Sequence, residues 1–557
     1  MVKIPEKALK YTGHYDKLSA KLLIILKGET MSETRLILSG DEAVAAGAYA
    51  AGVKLGAGYP GTPSTEILEH LAKLGGKAQW APNEKVALEV ASGVSFGGGR
   101  TIVTMKHVGL NVAADPLFTL AYTGAKGGLV IVSADDPGMA SSQNEQDNRL
   151  YAASAHLPML EPSDSQEAYS LTIKAFELSE QFSIPVLLRM TTRVCHSQGI
   201  VNCHKTPEKP ADCHYEKDVK NHCMVPAFAK PAHLKLEQKM KDLAQWNASS
   251  SLIQTFGEDK AELGIITSGA AFQHSMEAAP DAKILKLAMT WPLPYEKIAE
   301  FVKSCEKVVV VEEGEKFLAE KIRANGIEVT AKKDIFLFGE LNVSRVKKLI
   351  AGDETPEEAA KPGRPPALCP GCPHRGTYTV LRDMGCIVAG DIGCYSLGLM
   401  PPFSAIDSIV CMGASIGTGL GLRHTLPEEE ARKVVSVIGD STFLHSGLTG
   451  LVEMAYNRPA TGHVVIILDN STTAMTGLQE NPATGRHLDM SAAPKVDLEA
   501  LCKAAGMDFV EVVDTTTEKA KFEEMLKTHL AENRIGVIIA RRPCILQVKK
   551  LAKTAKA

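Results

Sequence analysis

Residues 434–477 read VVSVIGDSTFLHSGLTGLVEMAYNRPATGHVVIILDNSTTAMTG, and this stretch decides the fold. It alternates strand, tight turn, helix, strand and turn, and its two strands are the continuous apolar runs that parallel sheets bury on both faces. Gly439 permits a sharp turn at the carboxyl end of the first strand, which places Asp440 where open α/β sheets bind ligands. Asn470 ends the next strand thirty residues later, so its amide and the Asp440 carboxylate approach one point from adjacent loops.

These two oxygen-bearing side chains suit magnesium, which prefers octahedral oxygen ligands and shares them with phosphate groups. The pattern therefore predicts a magnesium and diphosphate site at Asp440 and Asn470. Residues of these types also end strands without binding a ligand, because they favour the turns that follow strands.

The rest of the chain repeats the alternation of strand and helix. Before residue 200, apolar runs at 101–105, 128–133 and 184–190 alternate with Ala-rich helical stretches, which predicts a first parallel sheet. Two further runs, GIITSG and VVVVEEG, indicate a smaller α/β unit that ends at an acidic, Pro-rich boundary. The expected fold class is α/β, with two parallel-sheet domains and a smaller α/β middle domain.

We expect seven segments along the chain: an N-terminal extension (1–34), a first sheet domain (35–200), a linker or excursion (201–255), a middle domain (256–352), a linker (353–366), a second sheet domain (367–545) and a basic tail (546–557).

Charge and composition exclude several classes of partner. The net charge is -4 and charged residues make up 23% of the chain, so no basic field attracts nucleic acid or an anionic membrane. The N-terminal apolar run at 22–26 is far shorter than the roughly 20 residues that span a bilayer, and it does not form a signal peptide. We therefore expect a cytoplasmic protein whose twelve cysteines are thiols or metal ligands rather than disulfides.

The Gly439-Asp440-Ser441 triplet, followed by Asn470, resembles the thiamine-diphosphate motif, which is usually written Gly-Asp-Gly to Asn. The resemblance implies that thiamine diphosphate is held through Mg²⁺ by Asp440, by Asn470 and by the backbone carbonyl of Thr472. Gly439 and Ser441 then belong to the same cofactor-binding turn. The resemblance also implies a pyrimidine-binding first domain and a diphosphate-binding second one.

A glutamate of the first domain completes this motif. In such enzymes a glutamate hydrogen-bonds the aminopyrimidine ring, and the segment Asn83-Glu84-Lys85 at the start of an Ala-rich helix resembles the segment that carries it. Glu84 is the candidate catalytic residue. The alternative is a carboxylate that only favours the first helical turn.

Six segments together resemble the catalytic alpha subunits of indolepyruvate:ferredoxin oxidoreductases. They are GYPGTPSTEI (58–67), NEKVALEVASGVSFGGGR (83–100), MKHVGLNVAADP (105–116), CPGCPHRG (369–376), GDIGCYSLG (390–398) and GDSTFLHSGLTG (439–450). The resemblance implies that Thr62 contacts the substrate carboxylate and that Lys106 and His107 face the substrate. Alternatively, Thr62 precedes a helix, for which Ser64 is the better cap, and Lys106 and His107 only follow a strand.

Four cysteines match the family's iron–sulfur ligands. Cys369 and Cys372 form a Cys-x2-Cys pair, Cys394 follows twenty-two residues later, and Cys544 lies 150 residues beyond that. Four thiolates suffice for a [4Fe-4S] cluster, whereas the alternatives are a zinc site or buried thiols. A second group lacks the close pairs of usual metal motifs, so we do not expect a metal there. Its members are Cys195, His196, Cys203, His204, Cys213, His214, His222 and Cys223.

The resemblance implies oxidative decarboxylation of an aryl-pyruvate-like 2-oxo acid, such as indolepyruvate, to its acyl-CoA and CO₂. It also implies a smaller beta subunit, in a pair of heterodimers, and coenzyme A as co-substrate. The sequence ends thirteen residues after Cys544 without the family's ferredoxin-like module, so we expect electrons to leave through a partner subunit or ferredoxin. The alternatives are a non-oxidative thiamine-dependent decarboxylase and a non-catalytic, thiamine-binding assembly subunit.

Overall fold

The computed structural model describes residues 34–203, 208–357 and 365–554. These residues form two compact units, one on each side of residue 359. The expectations for residues 1–33, for His204 and for the last residues of the tail lie outside the described residues, as does part of the linker at 353–366.

Thirteen strands form the sheets of the first unit. They are β1 (Thr34–Ser39), β2 (Leu55–Gly58), β3 (Ala78–Trp80), β4 (Thr101–Lys106), β5 (Leu129–Asp135), β6 (Met159–Leu160), β7 (Val186–Thr191), β8 (Gln198–Cys203), β9 (Ile253–Phe256), β10 (Ala261–Thr267), β11 (Lys283–Leu287), β12 (Met289–Trp291) and β13 (Cys305–Val311) among the described residues.

The α-helices described in this unit are α1 (Gly40–Ala50), α2 (Thr65–Lys73), α3 (Glu84–Phe96), α4 (His107–Val112), α5 (Ala114–Thr123), α6 (Arg149–Ala155), α7 (Ser165–Phe182), α8 (Thr192–His196), α9 (Val219–His222), α10 (Pro226–Ala248), α11 (Gly269–Ala278), α12 (Tyr295–Lys303), α13 (Phe317–Ala324) and α14 (Val343–Ala351).

The main sheet of this unit has seven strands in the order β12-β6-β7-β5-β4-β2-β3. Its strands are parallel except for β12, which pairs antiparallel with β6. Helices α3, α5 and α10 cover one face, where Leu88, Leu117 and Leu236 join Val103 and Ile131 in one core. The sequence therefore buries apolar strand residues beneath apolar helix faces, as a parallel sheet requires.

The middle region has its own four-stranded sheet, in the order β13-β10-β11-β9, but it is tied to the main sheet. Its β12 joins the seven-stranded sheet, and a buried ion network crosses between the two parts. The Arg149 guanidinium lies 2.5 Å from Asp147 and 2.8 Å from Glu312, and all three side chains are almost fully buried. The two regions thus belong to one compact unit.

The second unit contains the stretch that opened the sequence analysis. Its strands are β14 (Ile387–Ala389), β15 (Val434–Gly439), β16 (His463–Asp469), β17 (Phe509–Val513) and β18 (Ile535–Arg541). Its α-helices are α15 (His374–Asp383), α16 (Ala414–Thr425), α17 (Glu428–Ala431), α18 (Asp440–Thr442), α19 (Leu448–Tyr456), α20 (Leu498–Ala504), α21 (Lys519–Ala531) and α22 (Ile545–Thr554).

The five strands of this unit form one parallel sheet in the order β14-β15-β16-β18-β17. Alternate residues of β16 enter two separate cores, with Val464 and Ile466 on one side and Val465 and Ile467 on the other. Burial on both faces explains why the run is continuously apolar. The predicted α/β class with parallel sheets is confirmed, whereas the exact domain limits stay a prediction.

The stretch at 201–255, for which the sequence predicts a linker or an excursion, includes a long helix. It contains α10, a helix of 23 residues whose buried side chains include Ala232, Leu236, Met240 and Leu243. Their spacing of three and four residues puts them on one face, which packs on the main sheet domain. Sparse apolar residues and Pro231 inside the helix hid this pattern in the sequence. Within the described ranges, no helix combines the length and apolar character needed to cross a membrane.

Candidate functional site

Asp440 and Asn470 leave the sheet at the same edge. Asp440 directly follows β15 and Asn470 directly follows β16, and the register pairs Gly439 with Leu468. Both side chains are buried. The Nδ2 of Asn481 donates to Asp440 Oδ2 across 3.4 Å, and the backbone N–H of Thr472 donates to Asn470 Oδ1 across 3.2 Å. The structure thus gathers oxygen donors where the sequence predicts a magnesium site.

The electrostatics of this site favour a bound cation. Burial, and then the neighbouring Asp469 carboxylate, raise the pKa of Asp440 to about 8. Asp469 itself accepts a hydrogen bond from Nε of Arg541 across 2.7 Å. Because burial and the Asp469 carboxylate disfavour the ionised form of Asp440, a divalent cation at this position would stabilise that charged form. The residues present therefore fit the magnesium ion that the motif implies.

Contacts with neighbouring side chains explain why a glycine stands at 439 and a serine at 441. A Cβ added at Gly439 would lie 2.5 Å from Cε1 of Tyr395, so this ring excludes a side chain at the turn. The hydroxyl groups of Ser441 and Thr473 lie 2.7 Å apart and share a hydrogen bond. The Thr472 hydroxyl donates to the carbonyl of Gln479 across 3.1 Å, which fixes the loop that carries the Thr472 backbone.

Two neighbours of this site were not predicted. The Nδ2 of Asn470 lies 3.3 Å from Nε2 of His374, a buried ring whose pKa burial lowers to about 4. His374 is therefore neutral near pH 7 and accepts the amide hydrogen. It lies inside the CPGCPHRG motif, so a signal for it existed in the sequence, whereas Asn481 belongs to no recognised motif.

The structure brings the four predicted cluster cysteines into one neighbourhood. Burial, and then the neighbouring thiols of Cys372, Cys544 and Cys369, raise the pKa of the Cys394 thiol to about 11. The backbone N–H of Cys372 donates to the carbonyl of Cys369 across 3.0 Å, which closes the Cys-x2-Cys turn. Cys544 also contacts the predicted magnesium ligand Asn470, because its backbone N–H donates to the Asn470 carbonyl across 2.9 Å.

Glu84 begins α3 in the first unit. The Oδ1 of Asn83 accepts a hydrogen bond from the Val86 N–H across 2.9 Å and caps the helix. The Glu84 side chain is 4% exposed and lies against α4, where a Cβ added at Gly109 would come 2.6 Å from Oε1 of Glu84. Gly109 therefore leaves the space in which the Glu84 carboxylate lies.

Lys106 interacts electrostatically with Glu84 and packs against the turn that contains Thr62. Burial lowers the pKa of Lys106, which Asp136 and Glu84 partly offset. The Lys106 side chain packs against Gly61, where an added Cβ would lie 3.1 Å from Cγ of Lys106. Thr62, which is half-buried, is the next residue in the chain. Structurally, Thr62, Glu84 and Lys106 belong to one region of the first unit.

Ser64 does not cap the helix that follows it, and His107 is buried against a loop. Ser64 precedes α2, but its hydroxyl donates to the Gly61 carbonyl across 3.0 Å and makes no capping bond to the helix. The ring of His107 is fully buried, and its Nε2 lies 3.0 Å from the Asn144 carbonyl oxygen. His107 thus braces the loop around Asn144, and its contact with substrate stays a prediction.

The described cysteine and histidine residues between 195 and 223 do not form a metal site with one another. In the part of the chain that the structure describes, no three of these side chains lie within ligand distance of one another. Cys195 is buried, Cys213 and Cys223 are exposed, and the His222 ring stacks on Phe96 with centroids 4.2 Å apart.

Comparison with known proteins identifies both halves of the chain. Residues 46–255 match the family described as pyruvate flavodoxin/ferredoxin oxidoreductase, thiamine diphosphate-binding. Residues 391–540 match the thiamine pyrophosphate enzyme, C-terminal TPP binding domain.

Full-length relatives share most of their length with this chain. The indolepyruvate oxidoreductase subunit IorA of Archaeoglobus fulgidus is 40% identical over 92% of this chain and 87% of the relative. The subunit of the same name from Thermococcus kodakarensis is 38% identical over 92% and 86%. The 2-oxoglutarate synthase subunit KorA of Methanothermobacter marburgensis is 26% identical over 49% of this chain and 87% of its own length.

Among solved structures, 2-oxoglutarate:ferredoxin oxidoreductase from Magnetococcus marinus, with 2-oxoglutarate, coenzyme A and succinyl-CoA bound, has a TM-score of 0.48 at 20% identity. The match covers 60% of this chain and 70% of that one.

Proposed function

Since this chain belongs to the indolepyruvate oxidoreductase IorA family and is the catalytic subunit of a thiamine-diphosphate-dependent 2-oxoacid oxidoreductase, we propose that it oxidises an aryl-pyruvate-like 2-oxo acid such as indolepyruvate. The products are the acyl-CoA and CO₂. One 2-oxo acid anion and one coenzyme A thiol give one acyl-CoA, one CO₂, one proton and two electrons. The C–C bond to the carboxylate and the S–H bond of coenzyme A break, a C–S bond forms, and an iron–sulfur cluster would be the acceptor for the two electrons.

The second unit holds the cofactor in this proposal. Asp440, Asn470 and the backbone carbonyl of Thr472 ligate Mg²⁺, which binds the diphosphate, while Gly439 and Ser441 form the adjoining turn. Thiamine diphosphate, when bound, would supply a carbon nucleophile and an acceptor for the electron pair that remains when CO₂ departs. The burial of Asp440 next to Asp469 supports this assignment, because a cation there would stabilise the ionised carboxylate.

The first unit binds and orients the substrate and the pyrimidine ring. The Glu84 carboxyl hydrogen-bonds the aminopyrimidine, and Thr62 donates its hydroxyl to the substrate carboxylate. Lys106 supplies a positive charge near that carboxylate, and His107 supports the loop beside it. The contact of Lys106 with the turn at Gly61, and its electrostatic interaction with Glu84, support a common site for these residues.

One observation carries the oxidative reaction: the backbone of Cys544 is hydrogen-bonded to the backbone of Asn470. Cys544 is one of four thiols that approach each other, and Asn470 belongs to the magnesium site. A [4Fe-4S] cluster held by Cys369, Cys372, Cys394 and Cys544 would therefore lie next to the cofactor, where it can take electrons. The electrons leave to a smaller beta subunit or to ferredoxin, and the assembly is a pair of heterodimers.

The test is an anaerobic preparation of the chain together with its partner subunit. We expect about four irons and four sulfides per chain, and coenzyme A-dependent reduction of a low-potential acceptor with indolepyruvate. Mass spectrometry should identify the acyl-CoA. Cys372→Ser should lose the iron and acceptor reduction, while Cys411→Ser, an exposed cysteine of the same unit, should retain both.

Two outcomes would contradict the proposal. An aldehyde product from iron-free protein would identify a non-oxidative decarboxylase whose cysteines are structural. Thiamine diphosphate binding without turnover of any 2-oxo acid, in the complete assembly, would identify an assembly subunit.

A further inference from the structure

A buried aspartate in the first unit has unused ligand atoms. Asp41, in the first turn of α1, is 1% exposed, and neither carboxylate oxygen has a hydrogen-bond partner among the described residues. A buried carboxylate without a partner is costly, since neither solvent nor a donor compensates its charge. Burial accordingly raises the pKa of Asp41 well above its usual range; the neighbouring Cys195 thiol partly offsets this rise, and Glu66 adds to it.

Two exposed side chains point toward this carboxylate. Ligand atoms of Asp41, Glu66 and His196 all lie within 4.8 Å of one another, and they form the one such group found in the described ranges. Glu66 lies in the first turn of α2, and His196 is the last residue of α8. Three separate helices therefore contribute one ligand each.

The backbone explains why these residues meet. Strands β1 and β8 pair antiparallel, with Ser39 opposite Gln198, so Asp41 and His196 each lie two residues beyond that last pair. Gly40 allows the close approach, because a Cβ there would lie 2.0 Å from the Val194 carbonyl oxygen. Glu66 reaches the same place because α2 packs beside α1.

We propose that Asp41, Glu66 and His196 form a binding site for one divalent transition-metal ion of the zinc type, separate from the magnesium and iron–sulfur sites. Two carboxylate oxygens and an imidazole nitrogen are a donor set that zinc accepts, with water in the remaining position. The imidazole favours zinc, cobalt or nickel over magnesium and calcium, which prefer oxygen ligands alone.

The geometry requires only small movements. Ligands of a tetrahedral zinc ion lie about 3.3 Å apart, given metal–ligand bonds of about 2.0 to 2.1 Å. Glu66 and His196 are exposed and can rotate toward the fixed Asp41 carboxylate. A bound ion would fasten the starts of α1 and α2 to the end of α8. This site does not depend on the proposed reaction.

The test measures metal binding to the full chain, prepared anaerobically with its partner subunit and saturated with Mg²⁺ and thiamine diphosphate, so that other metal sites are filled. Equilibrium dialysis against Zn²⁺, followed by elemental analysis, should give one more zinc per chain than Asp41→Asn or His196→Gln binds. Each variant should weaken that binding at least tenfold. The wild-type Tm should rise with Zn²⁺, and the variants' Tm should not.

His70→Gln is the matched control. His70 lies on α2, 3.7 Å from Glu42 of α1, and thus joins the same helices without belonging to the ligand group. It should bind zinc like the wild type. If Asp41→Asn does not fold, Glu66→Gln and His196→Gln alter exposed side chains and decide the question. Equal zinc content in all variants, or no additional zinc in the wild type, would overturn the proposal.

Discussion

The backbone N–H of Cys544 donates a hydrogen bond to the backbone carbonyl of Asn470 across 2.9 Å. Asn470 follows β16 and Cys544 lies just beyond β18, and these neighbouring strands pair in parallel up to Asp469 and Arg541. Because parallel neighbours end at the same edge of a sheet, the two loops meet there. The proposed magnesium and iron–sulfur ligands thus share one short backbone connection.

Variants of Cys544 can separate these two roles. Cys544→Ser should lose iron but keep thiamine diphosphate affinity within about twofold, because the backbone N–H remains. Cys544→Pro removes that N–H and should weaken cofactor binding further, by about fivefold to tenfold for one lost hydrogen bond. Iron content and quenching of intrinsic fluorescence by Mg²⁺ and thiamine diphosphate are the measurements. Equal cofactor affinity in both variants would show that the bond does not support the magnesium site.

Glu84→Gln should lower turnover by about 10² to 10⁴-fold, because an amide cannot exchange a proton with the aminopyrimidine. Iron content and Tm should stay at wild-type values. Glu89→Gln is the control, since Glu89 lies on the same helix and pairs with Lys85 on its exposed face. Steady-state assays with saturating cofactor compare the two. Wild-type turnover in Glu84→Gln would refute the role assigned to this residue.

Gly109→Ala tests the position of the Glu84 carboxylate without changing its chemistry. The added methyl group would lie 2.6 Å from Oε1 of Glu84 and should displace it. We expect turnover to fall by about 10²-fold, as for other small misplacements of a reacting group. Gly93→Ala, in open space on α3, should leave turnover unchanged. If the two alanine variants are equally active, the close approach has no functional importance.

Glu313 should make stability depend on pH. Burial raises its pKa from about 4.5 to about 7, and the Leu341 N–H donates to its Oε1 across 3.1 Å. Between these pH values the folded protein binds more protons than the unfolded chain, so the free energy of unfolding falls as pH rises. At about 1.4 kcal/mol per pKa unit, the loss above pH 7 reaches up to about 3 kcal/mol.

Glu313→Gln should remove this dependence, because the amide oxygen keeps the bond to Leu341 without a charge. The measurement is the Tm at pH 5 and pH 8, for which the wild-type decrease should exceed that of Glu313→Gln. Glu320→Gln, an exposed residue of α13, should follow the wild type. Parallel pH profiles for all three proteins would contradict the prediction.

The strands of both sheets could be predicted because their signal is local. The run at 101–105 corresponds to β4, Thr101–Lys106, since a strand buried on both faces is apolar along its whole length. Asp440 and Asn470 could be placed at strand ends for the same reason. Helix α10 was missed because its apolar positions are sparse and its packing partner is distant in the chain.

Contacts between distant segments could not be predicted. His374 lies 96 residues before Asn470 and contacts it only because α15 and β16 belong to one unit. The approach of Glu66 and His196 to Asp41 likewise depends on how three helices start and end. No spacing within one segment encodes such meetings, so only the three-dimensional structure shows them.

The middle region also illustrates the limit of dividing a chain by its sequence. Its β12 completes the seven-stranded sheet, and its Glu312 pairs with the buried Arg149, which also pairs with Asp147. Excision of this region would remove an edge strand and one of the two carboxylates that pair with the buried Arg149, and both losses are destabilising. The region is therefore not an exchangeable module: a chimera that replaces it must also carry a matching strand and a matching carboxylate, or the seven-stranded sheet will lose stability.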